Sequence, residues 1–156
     1  MTETKRSAKI LVAEHAQAEA RLVSILSGHR STYVHTLAQA REALGGQRFD
    51  LLLLGLQFDQ ARMFDVLSTL RRESRHRALP VVCIHALPTF EIPPALAECA
   101  RVAARAMGAI DFVDLCDPRN AKGAERRMCD LLEEFAEGGG PVSAPAAVMQ
   151  SDPKRQ

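Results

Sequence analysis

The stretch Phe49-Asp50-Leu51-Leu52-Leu53-Leu54-Gly55 decides the fold. Four consecutive leucines leave no polar side chain to face water, so an extended strand here must be covered on both faces. That is the condition of a central strand in a parallel sheet, with Asp50 at its entry and Gly55 at its exit. Two further runs have the same character: Lys9 to Ala13 (KILVA), and Val81-Val82-Cys83-Ile84 introduced by Pro80. Thr32 to His35 and Ala109 to Val113 are the remaining β-rich segments. Between these runs the period changes to that of a helix. Ala18, Leu22, Ile25 and Leu26 share one face, stopped by Gly28. Leu37, Ala40 and Leu44 share another, capped by Thr36 and ended at Gly45-Gly46. Met63, Phe64, Leu67 and Leu70 form a third. Pro93-Pro94 suits the entry to a fourth helix, with Leu96, Cys99, Ala100, Ala103 and Met107 predicted inward. Asp117-Pro118 opens the last helix, whose stripe is Ala124, Met128, Leu131, Leu132 and Phe135.

The pattern is strand–helix repeated five times. Parallel strands need crossover connections, and right-handed crossovers place helices on both faces of the sheet. The prediction is an α/β fold with a doubly wound, five-stranded parallel sheet. In such sheets functional groups gather at the carboxyl ends of the strands. Residues 1–8 read as a flexible polar N-terminus, 9–137 as the domain, and 138–156 as a disordered tail. That tail opens with Gly138-Gly139-Gly140-Pro141 and has no apolar period.

The 20 basic and 19 acidic residues nearly cancel, which argues against the positive field of a non-specific nucleic-acid binder. The one basic cluster, Arg71, Arg72, Arg75, His76 and Arg77, falls at the end of the third helix, where cations offset the helix dipole. No apolar run is long enough to span a bilayer. Cys83, Cys99, Cys116 and Cys129 form no C-x-x-C pair, and a reducing cytoplasm is the simplest compartment for them.

In this order and spacing the segments resemble the receiver domain of two-component response regulators. Lys9-Ile10-Leu11-Val12 is similar to that family's first strand, and Arg41-Glu42-Ala43-Leu44 to its second helix. Phe49 to Leu54 resembles the strand leading to its phosphorylation site. Pro80 to Ile84 and Gly108-Ala109-Ile110-Asp111-Phe112-Val113 resemble its later strands. The resemblance implies a flavodoxin-like sheet in the order 2-1-3-4-5. It also locates the family's chemical positions. The acidic pair that holds Mg²⁺ falls at Glu14 and His15, and imidazole is a poor ligand for that hard ion. The phosphoacceptor falls at Gly55, the hydroxyl at His85 and the lysine at Leu115. The implied protein is a phosphorylation-independent pseudo-receiver, not an enzyme, acting as a protein–protein interaction module in bacterial-type two-component signalling.

Two other constellations stand beside that reading. Glu14, His15 and His85 are expected to converge at the top of the sheet. Imidazole plus carboxylate suits Zn²⁺ or a similar ion, with Asp114, Cys116 and Asp117 able to complete the site. The chain would then be a metal-dependent enzyme or a metal sensor. The plainer alternative has the two histidines bonding each other or Glu14. The connection Leu87 to Pro94 is longer than usual for receivers. Its Phe90 and Ile92 either plug the altered site or belong to a partner surface. Ala95, Ala97, Val102 and Ala104 are predicted on the outer face of the fourth helix, a surface for a protein partner or a homodimer. No glycine-rich phosphate loop follows the first strand, which argues against nucleotide binding.

Overall fold

The computed structural model describes residues 7–88 and 91–136. The five strands are β1 (Lys9–Ala13), β2 (Arg30–Val34), β3 (Leu51–Gly55), β4 (Val81–His85) and β5 (Asp111–Asp114). All pair in parallel, in the order β2-β1-β3-β4-β5. The helices are α1 (Glu19–Ile25), preceded by a 3₁₀ turn over Ala16–Ala18, α2 (Leu37–Gly46), α3 (Met63–Arg72), α4 (Pro94–Ala106) and α5 (Ala121–Ala136). The predicted doubly wound sheet is the observed one.

The leucine run shows why. In β3, Leu51 and Leu53 join Ile10, Val12, Val82 and Ile84 under α1 and α5, while Leu52 and Leu54 join Leu11, Val81, Cys83 and Phe112 under α2, α3 and α4. Alternate side chains enter opposite cores, so a strand buried on both faces must be apolar at every position. The register carries one row straight across the sheet: Tyr33, Val12, Leu53, Val82 and Asp111.

Several boundaries differ from the sequence reading. β2 begins at Arg30 and β5 at Asp111. Ala8, expected in a loose N-terminus, is fully buried and donates its N–H to His29 Nδ1 at 3.1 Å. Residues 1–6 and the expected tail at 138–156 lie outside the described residues. The cap predicted at Asp117 is instead an Asx turn, with Asp117 Oδ1 accepting from Arg119 N at 2.9 Å, and α5 starts at Ala121. The basic cluster after α3 has a structural use: Arg71 donates to the carbonyls of His76, Arg77 and Gly108.

The largest correction concerns α4. Ala104, predicted outward, is fully buried, whereas Leu96 and Cys99, predicted inward, are exposed. Small apolar residues surround most of this helix, so period alone does not fix its face. Its arginines do. Arg101 Nε donates to Phe112 O at 3.3 Å, and Arg105 Nη2 meets Asp111 Oδ1 at 3.0 Å. These bonds turn Ala100 and Ala104 onto the sheet, where a small side chain lets the backbone approach closely.

Candidate functional site at the carboxyl edge of the sheet

Glu14 follows β1, tied by its N–H to Val34 O at 3.3 Å. Its side chain is buried. Oε1 accepts from His15 N at 2.7 Å, and Oε2 has no hydrogen-bond partner among the described residues. Burial pushes its carboxyl from 4.5 up to about 7, against the lowering effect of the His15 N–H. Gly55, at the end of the adjacent β3, explains the placement. A Cβ built on Gly55 would overlap the Glu14 carboxyl carbon and both its oxygens. The carboxyl therefore fills the space a side chain at position 55 would need. Leu115 is fully buried in the core shared with α1 and α5.

His15 does not join this group. Its Nδ1 accepts from Gln17 N at 3.1 Å and caps the 3₁₀ turn, leaving the residue exposed. His15 therefore takes no part in the convergence expected of it with Glu14 and His85. Local capping claims His15 before any long-range partner does.

His85 ends β4, and the register sets it opposite Asp114. It is 1% exposed, with Nδ1 at 2.9 Å from Asp114 Oδ1 and Nε2 without a partner among the described residues. The same Asp114 oxygen accepts from Cys116 N at 2.9 Å. One donor atom from each of His85, Asp114 and Cys116 lies within 4.8 Å of the other two. Burial pushes the Cys116 thiol up, partly opposed by Arg21, whose Nη1 is 3.8 Å from the sulfur. An open cleft of about 670 Å³ borders this trio, running between the segment before α4 and the loop after β5.

The predicted surface residues are divided. Ile92 and Ala97 line that cleft, Ala95 and Val102 are exposed, and Phe90 lies outside the described residues. Two features escaped the sequence reading. Asp111 is buried beneath Arg105 and Arg127, at 3.0 and 3.1 Å, with Arg101 at 3.5 Å. Burial works to raise its carboxyl, but the Phe112 N–H and the arginines outweigh that and hold it below its ordinary value. The spacing of Arg101 and Arg105 on one helical face, four apart, was the available signal. The other feature is the turn Phe58–Ala61, where Asp59, Gln60 and Ala61 all take positive φ. Asp59 Oδ2 accepts from Leu37 N at 2.9 Å, at the start of α2. Nothing in the residue types marks three successive left-handed positions.

Comparison with solved structures places this fold among receiver domains. The manganese-bound form of the response regulator Rcp1 superposes with a TM-score of 0.63 at 20% identity, over 89% of this chain and 99% of that one. The phosphorylated cyanobacterial phytochrome response regulator RcpA gives 0.63 at 19% identity, over 88% and 99%. The receiver domain of a DNA-binding response regulator from Colwellia psychrerythraea gives 0.58 at 15% identity, over 81% and 99%. The chain has the receiver-domain fold. No family model matches the sequence, and no curated protein matches it. No helix among the described residues is long and apolar enough to cross a membrane.

Proposed function

We propose that this protein is a receiver-like interaction module of two-component signalling that works without aspartyl phosphorylation. One observation carries the reading: the Glu14 carboxyl occupies the volume over Gly55. Phosphoryl transfer depends above all on positioning an acceptor, a metal and a cation around the phosphate. Here the acceptor position has no side chain, the space for one is filled, and Leu115 is apolar and buried. Output must then come from surface contact. The outer surface of α4 supports this, since Leu96 and Val102 are both more than half exposed, and contiguous exposed apolar surface tends to mark an interface. The partner is a protein or a second copy of this chain, meeting it at α4 in the cytoplasm.

The test is a ¹⁵N-labelled spectrum of the protein with Mg²⁺, before and after acetyl phosphate or beryllofluoride. The amides of Glu14, Gly55 and His85 are expected to stay in place. Saturable shifts confined to those residues would overturn the reading.

A further inference from the structure

We propose that His85, Asp114 and Cys116 form a binding site for a borderline divalent cation of the Zn²⁺ type. Its residues are not those that close over Gly55, and it does not depend on whether the chain is phosphorylated. Three observations carry it. First, the donors are an imidazole nitrogen, a carboxylate oxygen and a sulfur, all within 4.8 Å of one another. Nitrogen and sulfur favour zinc-like ions and disfavour Mg²⁺ and Ca²⁺, which want oxygen. Second, His85 is almost wholly buried and its Nδ1 lies 2.9 Å from Asp114 Oδ1, so the ring nitrogen and the carboxylate already converge, and an ion held by both would take the place of that hydrogen bond. Third, the trio borders an open cleft, which gives an ion a way in and leaves a coordination position free for water or a partner's side chain.

The surroundings agree. Asp114 already holds the His85 ring and the Cys116 backbone, so the donors are oriented by β4, β5 and the turn that follows β5. Around the cleft the carboxylates of Glu91, Glu98, Asp114 and Asp117 face the guanidinium groups of Arg101 and Arg119. Carboxylates therefore outnumber arginines there. Arg21, close to the Cys116 sulfur, has its charge compensated by Glu125 at 3.2 Å. On binding, the thiol releases its proton to solvent and the sulfur becomes the anionic ligand.

The test uses the full chain, stripped with chelator and titrated with Co²⁺ by absorption and with Zn²⁺ by calorimetry. Cys99 and Cys129 are exposed and able to bind metal adventitiously, so the reference is the Cys99→Ser/Cys129→Ser protein. The expected result is one ion per chain, with a thiolate-to-cobalt charge-transfer band that excess Mg²⁺ does not remove. Adding Cys116→Ser should abolish the band, and His85→Gln should weaken affinity about 10- to 100-fold. Circular dichroism of the metal-free variants checks folding. Should His85→Gln not fold, the isosteric Cys116→Ser change decides alone. Absence of stoichiometric binding in the reference protein, or a band that survives Cys116→Ser, overturns the proposal.

Discussion

At the ends of β1 and β3 a carboxylate closes over a glycine; at the ends of β4 and β5 a histidine, a carboxylate and a thiol stand beside an open cleft. Both places lie on one edge of one sheet, and each holds a buried polar atom without a partner, Glu14 Oε2 in the first and His85 Nε2 in the second. The difference is volume. Over Gly55 the missing side chain left a space that a neighbour's carboxyl fills, so a side chain at position 55 has no room. Beside His85 the space is about 670 Å³ and opens to solvent. A sealed pocket registers added atoms and changes of charge as lost stability. An open one has room to register a ligand.

The sealed side is tested most severely by restoring an acceptor. Gly55→Asp drives a Cβ into the Glu14 carboxyl and sets a second buried carboxylate against it. Overpacking and an uncompensated charge together should cost about 4 kcal/mol in urea unfolding at pH 8. Adding Glu14→Ala should return at least half of that, because the overlap and the repulsion both go with Glu14. A loss below about 1 kcal/mol for the single change would mean the pocket relaxes freely, and the contrast with the cleft would fail.

Charge gives the second test. The Glu14 carboxyl titrates near 4.5 when unfolded and about 7 when folded. Below pH 4.5 both states hold the proton and the group costs nothing differential. Between pH 4.5 and about 7 the unfolded chain releases its proton while the native state retains it, so stability falls with rising pH. Above about 7 the full penalty, about 3 kcal/mol, is in place. Glu14→Gln keeps the shape and removes the titration. It should be more stable than the parent by about 3 kcal/mol at pH 8 and nearly equal to it at pH 4. Equal stability of the two proteins across that range would show the carboxylate to be solvated, and the pocket open.

On the open side, Asp114→Ala takes away the partner of His85 Nδ1 and of Cys116 N together. The expected loss is about 2 kcal/mol, smaller than for Gly55→Asp, because water from the cleft can replace the carboxylate. A loss as large as that of Gly55→Asp would erase the distinction between the two pockets.

The fold was legible because its signals are redundant. Leu51 to Leu54 can only be a doubly covered strand, and the runs at Lys9 and Val81 repeat the message with helical periods between them. The site was legible by half. Glu14, Gly55, His85 and Leu115 were singled out by the resemblance to receivers, and the strands do place Gly55 and His85 at the ends of β3 and β4 and Glu14 and Leu115 just past β1 and β5. What failed was the direction of side chains. His15 has a local backbone donor in reach, and nothing in the string Glu14-His15-Ala16-Gln17 says which way the ring turns. Gly55 reads as a missing side chain; that Glu14 fills its space requires the packing of two strands at once. On α4 the apolar residues run most of the way round, so the orientation came from Arg101 and Arg105 reaching toward Asp111 on the next strand, contacts that the period of the helix alone does not carry.

That same helix supplies the smallest expected effect on stability. Val102 is 60% exposed on α4, where Leu96 and Cys99 are exposed as well, so Val102→Glu touches neither pocket and neither core. Its effect on unfolding should lie within about 0.5 kcal/mol, and the circular dichroism spectrum should not change. Association is where it should register. A carboxylate placed in the centre of an apolar contact must be desolvated without a partner, and this weakens self-association or partner capture about tenfold or more. Light scattering across a concentration series, with and without the substitution, reads the difference. Should the protein stay monomeric in both forms, and its capture by partner proteins prove indifferent to Val102, then the α4 face is merely an alanine-rich helix surface.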